Sequence, residues 1–420
     1  MNLFAMSLKD KVKALTEKGV VVKDPFSLEI GDEVPIERIS GRNVVLHGGT
    51  RIYGSRTLIS PGVVIGREGP ATIVDCYIAP RVELKGGFFE GSVFLEGVSI
   101  ASGAHVREGC LLEEETKVGH TVGLKQTILF PYATLGSLIN FCDCLLSGGT
   151  GRDNHSEVGS VYVHFNFTPQ QDKATPSLLG DVPRGVMLCE SPIFLGGQGG
   201  LVGPVHIDYG TVISAGTVWR RDSAGRKLLH GTETTPRCLP YNPDLYGDIR
   251  NKVFNNINYI ANLMALREWY FHVRRPFFMR IELGEELFHG ALDVLSRSIS
   301  ERIKRLGELA RKMEKSLKAW QEQGDGDRDT LRRQREFMEN WPKIEGYLSS
   351  VSPETMGLEK KEAFLKRIGK MQEKAPDYLK MVRLFDEETR HLGTLWLEDI
   401  VSQVREGAMV SLKSFHTQLV

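Results

Sequence analysis

Aliphatic side chains recur every six residues along the first half of the chain. The positions at this interval are Ile52, Leu58 and Val64, then Ile100, Val106, Leu112, Val118, Leu124 and Phe130, and finally Ile207, Ile213 and Trp219. Four residues after many of them stands a small or β-branched residue, as at Ala104, Cys110, Thr116, Val122, Thr211 and Thr217. An ordinary amphipathic strand alternates with a period of two, so a sustained period of six predicts the hexapeptide repeats of a left-handed parallel β-helix.

The geometry of such a helix explains each position of the repeat. One short strand forms each side of a triangular coil, and three hexads complete a turn. The aliphatic residue fills the interior, the small residue clears the corner, and glycine or asparagine accepts a positive φ at the turn. Successive coils stack about 4.8 Å apart, so the backbone groups of one coil pair with those of its neighbours.

The period changes after Arg221. Prolines at 236, 240 and 243 indicate a linker, and from Asp244 apolar residues follow a helical spacing. A long stripe predicts a helix of more than 50 Å at ~1.5 Å per residue: Phe288, Leu292, Leu295, Ile299, Ile303, Leu306, Ala310, Met313, Leu317 and Trp320. GDGD (324–327) is expected to end this helix, and Ser352, Pro353 and Glu354 form a helix-start signal.

These shifts predict four segments. They are an N-terminal helix and lead-in (1–40), the β-helix with inserted loops (41–222), a linker (223–243) and an all-α helical domain (244–420). The aromatic cluster LREWYFHVRRPFF (266–278) is expected to be helical core, with a protein-partner surface as the alternative.

Composition narrows the classes of partner. The chain has 420 residues with 53 basic and 53 acidic side chains, so no net field favours nucleic acid or an acidic membrane. Three observations predict a cytoplasmic protein. The six cysteines show no paired framework, the start lacks a secretory apolar core, and no apolar run is long enough to cross a membrane.

One polar segment interrupts the repeats. HSEVGSVYVHFNFTPQQDKATPSLLGD (155–181) holds two histidines, an asparagine, a lysine and two glycines. Such a segment is either a plain loop or part of a binding site, and the surrounding residues decide between these alternatives.

The β-helix half resembles a known family, from about residue 19 to 222. AHVREGCLLEEETKVGHTVGLKQTIL and GGLVGPVHIDYGTVISAGTVWRRD are similar to the acetyltransferase domain of the bifunctional N-acetylglucosamine-1-phosphate uridyltransferase/glucosamine-1-phosphate acetyltransferase family. The resemblance implies a phosphate-binding role for Arg107 and a substrate-binding role for Lys125. Only about 40 residues precede the repeats, so the nucleotidyl-transferring domain and uridyltransferase activity are not expected.

The resemblance also gives the polar segment a role. It is similar to the family's substrate loop, which places Asn166 on the family's asparagine, Thr175 in register after it, and Lys173 one place from the family's lysine. Amide and ammonium groups hold hydroxyls and phosphate without titrating near neutral pH. The alternative is that Asn166 and Lys173 only stabilise turns.

The family's catalytic histidine is replaced. LGSLIN puts Ser137 at the histidine and Asn140 at the substrate-binding tyrosine three residues later. Neither side chain accepts an amine proton at neutral pH. If acyl transfer occurs, we expect His155 or His164 to be the base, because both lie next to the predicted sugar-binding loop.

The resemblance further implies acetyl-CoA as co-substrate, lying along the closing coils near Ala215 and Gly216, and a homotrimer with sites between subunits. No metal is expected: Cys142, Cys144, His155 and His164 are ligand types for zinc, but they lack a CxxC pair.

Two functions therefore stay open. The first is an acyl-CoA-dependent transferase acting on a sugar phosphate or nucleotide sugar, with N- or O-acylation undecided. The second is an inactive sugar-phosphate-binding or scaffold protein that contacts a protein partner through its helical domain.

Overall fold

The computed structural model describes residues 7–163, 170, 172–231, 238, 241–324 and 326–415. Parallel strands form a β-helix, and a region of packed helices follows it. The predicted fold class is therefore confirmed. Within the described residues the strands run from Val21 to Leu229, which extends the β-helix beyond residues 41–222 at both ends.

The coil has three faces, which we number in chain order. Face 1 consists of Val21–Val22, Val45–Leu46, Val64–Ile65, Glu83–Leu84, Ser99–Ile100, Lys117–Val118, Thr134–Leu135, Glu157–Val158, Phe194–Leu195, Val212–Ile213 and Leu228–Leu229. Face 2 consists of Glu29–Ile30, Arg51–Tyr53, Ala71–Val74, Gly87–Glu90, Ala104–Val106, Tyr162–Val163, Gly200–Leu201 and Val218–Trp219. Face 3 consists of Leu58–Ile59, Tyr77–Ile78, Val93–Phe94, Leu111–Leu112, Ser177–Leu179 and His206–Ile207.

Two longer strands, Val122–Leu129 and Ile139–Leu146, pass from face 2 to face 3. We name the corners edge A (faces 1 and 2; for example 119–121 and 136–138), edge B (faces 2 and 3; 107–110 and 125–126) and edge C (faces 3 and 1; 113–116 and 147–156). An antiparallel hairpin, Gly149–Gly151 with Asn154–His155, extends edge C.

In the first predicted run of interior residues Ile52 is confirmed, whereas Leu58 and Val64 are each wrong by one position. Ile59, not Leu58, shares the interior register that leads to Leu112, and Ile65, not Val64, leads to Val118. The interval from Ile52 to Ile59 is seven, because the corner after Tyr53 holds one extra residue. Leu129 likewise occupies the register position predicted for Phe130, which is buried beside it.

The helices have clear bounds. They are α1 Leu8–Lys18, α2 Val182–Gly185, α3 Arg250–Trp269, α4 Arg275–Phe278, α5 Gly284–Gln323, α6 Arg328–Ser350, α7 Leu358–Lys374, α8 Tyr378–Arg383 and α9 Glu387–Met409. A π-helical turn, Tyr270–Arg274, joins α3 to α4, and 3₁₀ turns occupy Ile36–Arg38, Pro353–Thr355 and Lys413–Phe415.

Most helix predictions agree with these bounds. The 40 residues of α5 confirm the long stripe, and Gly324 ends the helix in a left-handed conformation. The start signal at Ser352 is wrong: Pro353 begins only a 3₁₀ turn, the Ser352 side chain caps nothing, and α7 starts after Gly357. The aromatic cluster is largely core, since Trp269 and Tyr270 are fully buried, although Phe271 is exposed.

The helical region packs on face 3. The outward positions of that face are apolar and buried: Leu58, Tyr77, Val93, Leu111, Ile128, Leu145 and Leu178. Helices α3 and α5 cover them, and Gly290 of α5 lies so close to the Tyr77 ring that a Cβ would stand 2.4 Å from it. Faces 1 and 2 keep exposed or half-buried outward residues. Among the described residues, no helix combines the length and apolar character needed to cross a membrane.

Candidate active site

The predicted phosphate ligand Arg107 and the predicted substrate ligand Lys125 are neighbours on edge B. Val106 pairs with Leu124, so the residues that follow them, Arg107 and Lys125, occupy the same corner of successive coils. Arg107 is exposed, Lys125 is half-buried, and neither forms an ion pair within the described part of the chain. The corner therefore presents two adjacent positive charges without a carboxylate partner.

Cys142 continues this column on the next coil, in register with Lys125. Its Sγ lies 3.8 Å from Arg107 Nη2 and donates to Asn140 Oδ1 at 3.0 Å. Burial raises the pKa of Cys142 to about 11, so the thiol keeps the proton that it donates to the amide. Asn140 is thus held on the outer side of face 2, beside the cations.

Ser137 lies on edge A and contacts a histidine that the sequence analysis did not select. Its Oγ is 2.6 Å from Nδ1 of His120, which belongs to the preceding coil. The two residues are 17 positions apart, the same interval that separates the paired strand residues Lys117 and Thr134. This coil length is the signal that points to His120.

His155 lies on edge C, in the inserted hairpin. Ser160 is the edge A residue of the same coil and follows His155 by five residues along face 1. At about 3.3 Å per residue, the two are roughly 16 Å apart. Ser160 Oγ donates to the Ser137 carbonyl at 2.7 Å, so His155 and Ser137 are on opposite edges of face 1. The structure does not bring these two predicted catalytic residues together. His164 and Asn166 lie outside the described residues.

The end of the predicted substrate loop is fastened to the helical region. Lys252 of α3 pairs with Asp172 at 2.8 Å, and Asn256 Nδ2 donates to the Ala174 carbonyl at 3.1 Å. Lys173 between them is exposed and Thr175 is half-buried. These residues follow face 2 and precede face 3, so they belong to edge B, the edge of Arg107 and Lys125.

Ala215 and Gly216, the predicted co-substrate positions, lie on edge A. They follow the face 1 strand Val212–Ile213, which is three coils beyond the strand Thr134–Leu135 that precedes Ser137. At about 4.8 Å per coil, the two residues lie roughly 14 Å from Ser137 along edge A. Both residues are exposed, and a Cβ added to Gly216 would meet nothing within 4 Å. Glycines at 136, 159 and 196 occupy the same edge between them, and a Cβ at 159 or 196 would stand less than 3 Å from backbone of the next coil, so these glycines allow the coils to stack closely.

Two other polar clusters are occupied by their own partners. Asp181, His206 and Asp208 lie close enough to share a metal ion, but Arg184 binds both carboxylates, at 2.7 Å to Asp208. A cavity of about 630 Å³ between edge C and helices α4 and α8 contains the pairs Arg81–Glu96 and Lys380–Asp377. Among the described residues, no predicted site residue lines that cavity.

Comparison with known proteins finds relatives over about half of the chain. Bifunctional protein GlmU of Thermotoga petrophila is 30% identical over 213 residues, which are 50% of this chain and 42% of that protein. The Thermotoga maritima protein is 29% identical over 213 residues, and that of Geobacillus thermodenitrificans 26% over 215. No protein-family model matches. The chain covers less than half the length of these relatives, and the resemblance of its β-helix half is confirmed.

Proposed function

We propose that the β-helix half transfers an acyl group from acyl-CoA to a sugar phosphate or nucleotide sugar. The observation that carries this proposal is a pair of adjacent cations on edge B, Arg107 and Lys125, which form no ion pair with the described residues and stand on a β-helix similar to GlmU proteins. Hydrogen bonds from arginine and lysine to phosphate are charge-assisted and therefore stronger than hydrogen bonds between neutral groups. In this proposal they hold the phosphate of the acceptor.

The acceptor then lies across face 2. Asn140 stands beside the cations, and Gly123, its neighbour in register, leaves an open place on the same face. In our proposal the sugar is hydrogen-bonded by Asn140 and by residues of the predicted substrate loop, Asn166, Lys173 and Thr175. The Lys252–Asp172 and Asn256–Ala174 contacts support the proposal, because they hold the described end of this loop in place.

Acetyl-CoA lies along edge A in this proposal, with Ala215 and Gly216 against its chain and its thioester toward Ser137. The acceptor nitrogen or oxygen attacks the thioester carbonyl carbon. A C–N or C–O bond forms, the C–S bond breaks, and the acceptor proton ends on the released thiol. In this proposal the sugar of the acceptor spans face 2 between the phosphate on edge B and the thioester on edge A.

The same proposal includes a homotrimer. Face 1 carries three exposed apolar residues in register, Phe194, Val212 and Leu228, at 40%, 38% and 59% exposure. In a homotrimer with closed cyclic symmetry, this face would be covered by the other two copies of the chain. The six cysteines, all described and all unpaired, support a reducing compartment, and we propose the cytoplasm.

Isothermal titration with acetyl-CoA tests the co-substrate. We expect the wild type to bind it and Ala215→Trp to bind it at least tenfold more weakly, because the indole covers edge A where the ligand approaches. Unchanged affinity in the variant would remove acetyl-CoA from this edge. Failure of the wild type to bind, with sugar phosphate still bound, would favour the inactive binding protein instead.

A further inference from the structure

We propose that His120 is the general base of the transfer and that Ser137 positions it. The proposal rests on the proposed function and names the residue that replaces the histidine missing at position 137. His120 comes from the coil before Ser137, so one edge of the β-helix still presents an imidazole where the serine stands.

The backbone sets the distance between the two side chains. The amide of Leu138 donates to the His120 carbonyl at 3.0 Å, and the amide of Gly119 donates to the Leu135 carbonyl at 2.8 Å. Ser160 Oγ donates to the Ser137 carbonyl from the following coil. Ser137 is therefore held between two coils, and its Oγ lies 2.6 Å from His120 Nδ1 because the coils are in register.

This contact is compatible with a neutral imidazole that acts as a base through its other nitrogen. When Nδ1–H donates to Ser137 Oγ, Nε2 carries the lone pair and accepts a proton. The ring is exposed, so Nε2 is open to a bound acceptor. As the acceptor nitrogen forms its bond to the thioester carbon, its proton passes to Nε2, and the imidazolium then returns a proton to the departing thiolate. Neutral imidazole is regenerated and no further reactant is needed.

The position on the β-helix agrees with this role. His120 shares edge A with Ala215 and Gly216, and five residues along face 2 separate it from Lys125, roughly 16 Å at about 3.3 Å per residue. In our proposal the side chains of Lys125 and His120 extend over face 2 and the sugar of the acceptor lies between them. Of the other described histidines, His155 is on edge C, whereas His105 lies on the outer side of face 2 in register with Gly123 and stacks on Phe88 at 5.0 Å.

Two substitutions of His120 separate proton transfer from structure. His120→Gln keeps a group that hydrogen-bonds Ser137 but does not accept a proton near neutral pH, and His120→Ala removes both functions. We expect each to lower kcat for acetyl transfer to glucosamine-1-phosphate at least 100-fold, within the range of positioned bases. The Kd for glucosamine-1-phosphate should stay within threefold of wild type, and added imidazole should restore part of the rate of His120→Ala.

Ser137→Ala and a control complete the test. Ser137→Ala should lower kcat by a smaller factor and move the acidic limb of the pH–kcat profile, because the ring loses the partner of Nδ1. His289→Ala removes an exposed histidine of α5 that lies outside the β-helix, and it should leave the rate unchanged.

Three results would overturn the assignment. His120→Gln with more than a third of the wild-type kcat would exclude His120 as the base. A Ser137→Ala pH profile superimposable on that of the wild type would remove the positioning role of Ser137. An acetyl ester on Ser137, detected by mass spectrometry, would make the serine a nucleophile instead. If wild type makes no acetylated product while still binding sugar phosphate, the proposed function itself fails, and this result is distinct from the other three.

Discussion

Removal of the Arg107 guanidinium tests whether edge B holds a phosphate. Arg107→Ala deletes an exposed cation whose one described side-chain contact is the 3.8 Å approach to Cys142, so the fold should not change. A hydrogen bond to a charged group contributes about 1.5–3 kcal/mol. At 1.4 kcal/mol for each factor of ten, the Kd for glucosamine-1-phosphate should rise roughly tenfold to 150-fold.

The structure also predicts how Arg107 and Lys125 combine. In the proposed site both residues bind one phosphate from adjacent coils, so Lys125→Ala should give a loss of similar size, and the double variant should lose less than the sum. Coupling of about 0.5–3 kcal/mol is expected for residues that share a partner. Arg51→Ala is the matched control, since Arg51 is on face 2 several coils away and already pairs with Glu29 at 3.0 Å.

Isothermal titration at fixed salt with glucosamine-1-phosphate and with glucosamine measures these differences. We expect weakened binding of the phosphate ester and nearly unchanged binding of the free sugar. Equal losses for both ligands would mean that Arg107 supports the fold of edge B, and no loss for either would refute the phosphate site.

Four further predictions concern the fold, the assembly and the substrate loop. Arg274 is 1% exposed and pairs with Glu113 at 3.0 Å and with Glu114, so Arg274→Met should lower the free energy of unfolding by about 3–5 kcal/mol in urea denaturation, and a loss below 1 kcal/mol would contradict a buried pair. Burial, with Glu114 close by, raises the pKa of Glu113 from its ordinary 4.5 to about 7; the folded state then binds this proton more tightly than the unfolded state, so the contribution of Glu113 to stability should fall as pH rises from about 4.5 to 7. Sedimentation should show a trimer for wild type and smaller species for Val212→Glu, whereas a wild-type monomer at micromolar concentration would contradict the assembly. Lys252→Met should weaken sugar-phosphate binding severalfold by loosening residues 172–175 from α3, and unchanged affinity would show that the loop holds its position without this pair.

The fold was predictable because the six-residue period is tied directly to the geometry of a coil. The error at Leu58 arose from one extra corner residue, which shifts the register without removing the period. The docking of the helices on face 3 was also present in the sequence, since pairs such as Val93–Phe94 and Leu111–Leu112 are apolar at both inward and outward positions. Such continuous apolar runs are typical of strands buried on both sides.

The site was predictable only in part. Arg107 and Lys125 follow the same repeat position, so their proximity follows from the coil length. His155 was selected by closeness in sequence, but the inserted hairpin puts it on edge C, across face 1 from Ser137. His120 was missed because its partner lies one coil away, and only the 17-residue spacing relates the two.

Acetyl transfer by the wild-type protein tests the central claim most directly. The full chain is incubated with acetyl-CoA and glucosamine-1-phosphate; free thiol is measured continuously, and the sugar product is identified by mass spectrometry. The account predicts thiol release above the rate of thioester hydrolysis, dependent on the sugar phosphate and matched mole for mole by an acetylated sugar phosphate. Thiol release that is independent of every hexosamine phosphate and nucleotide sugar offered, with no acetylated product, would contradict it.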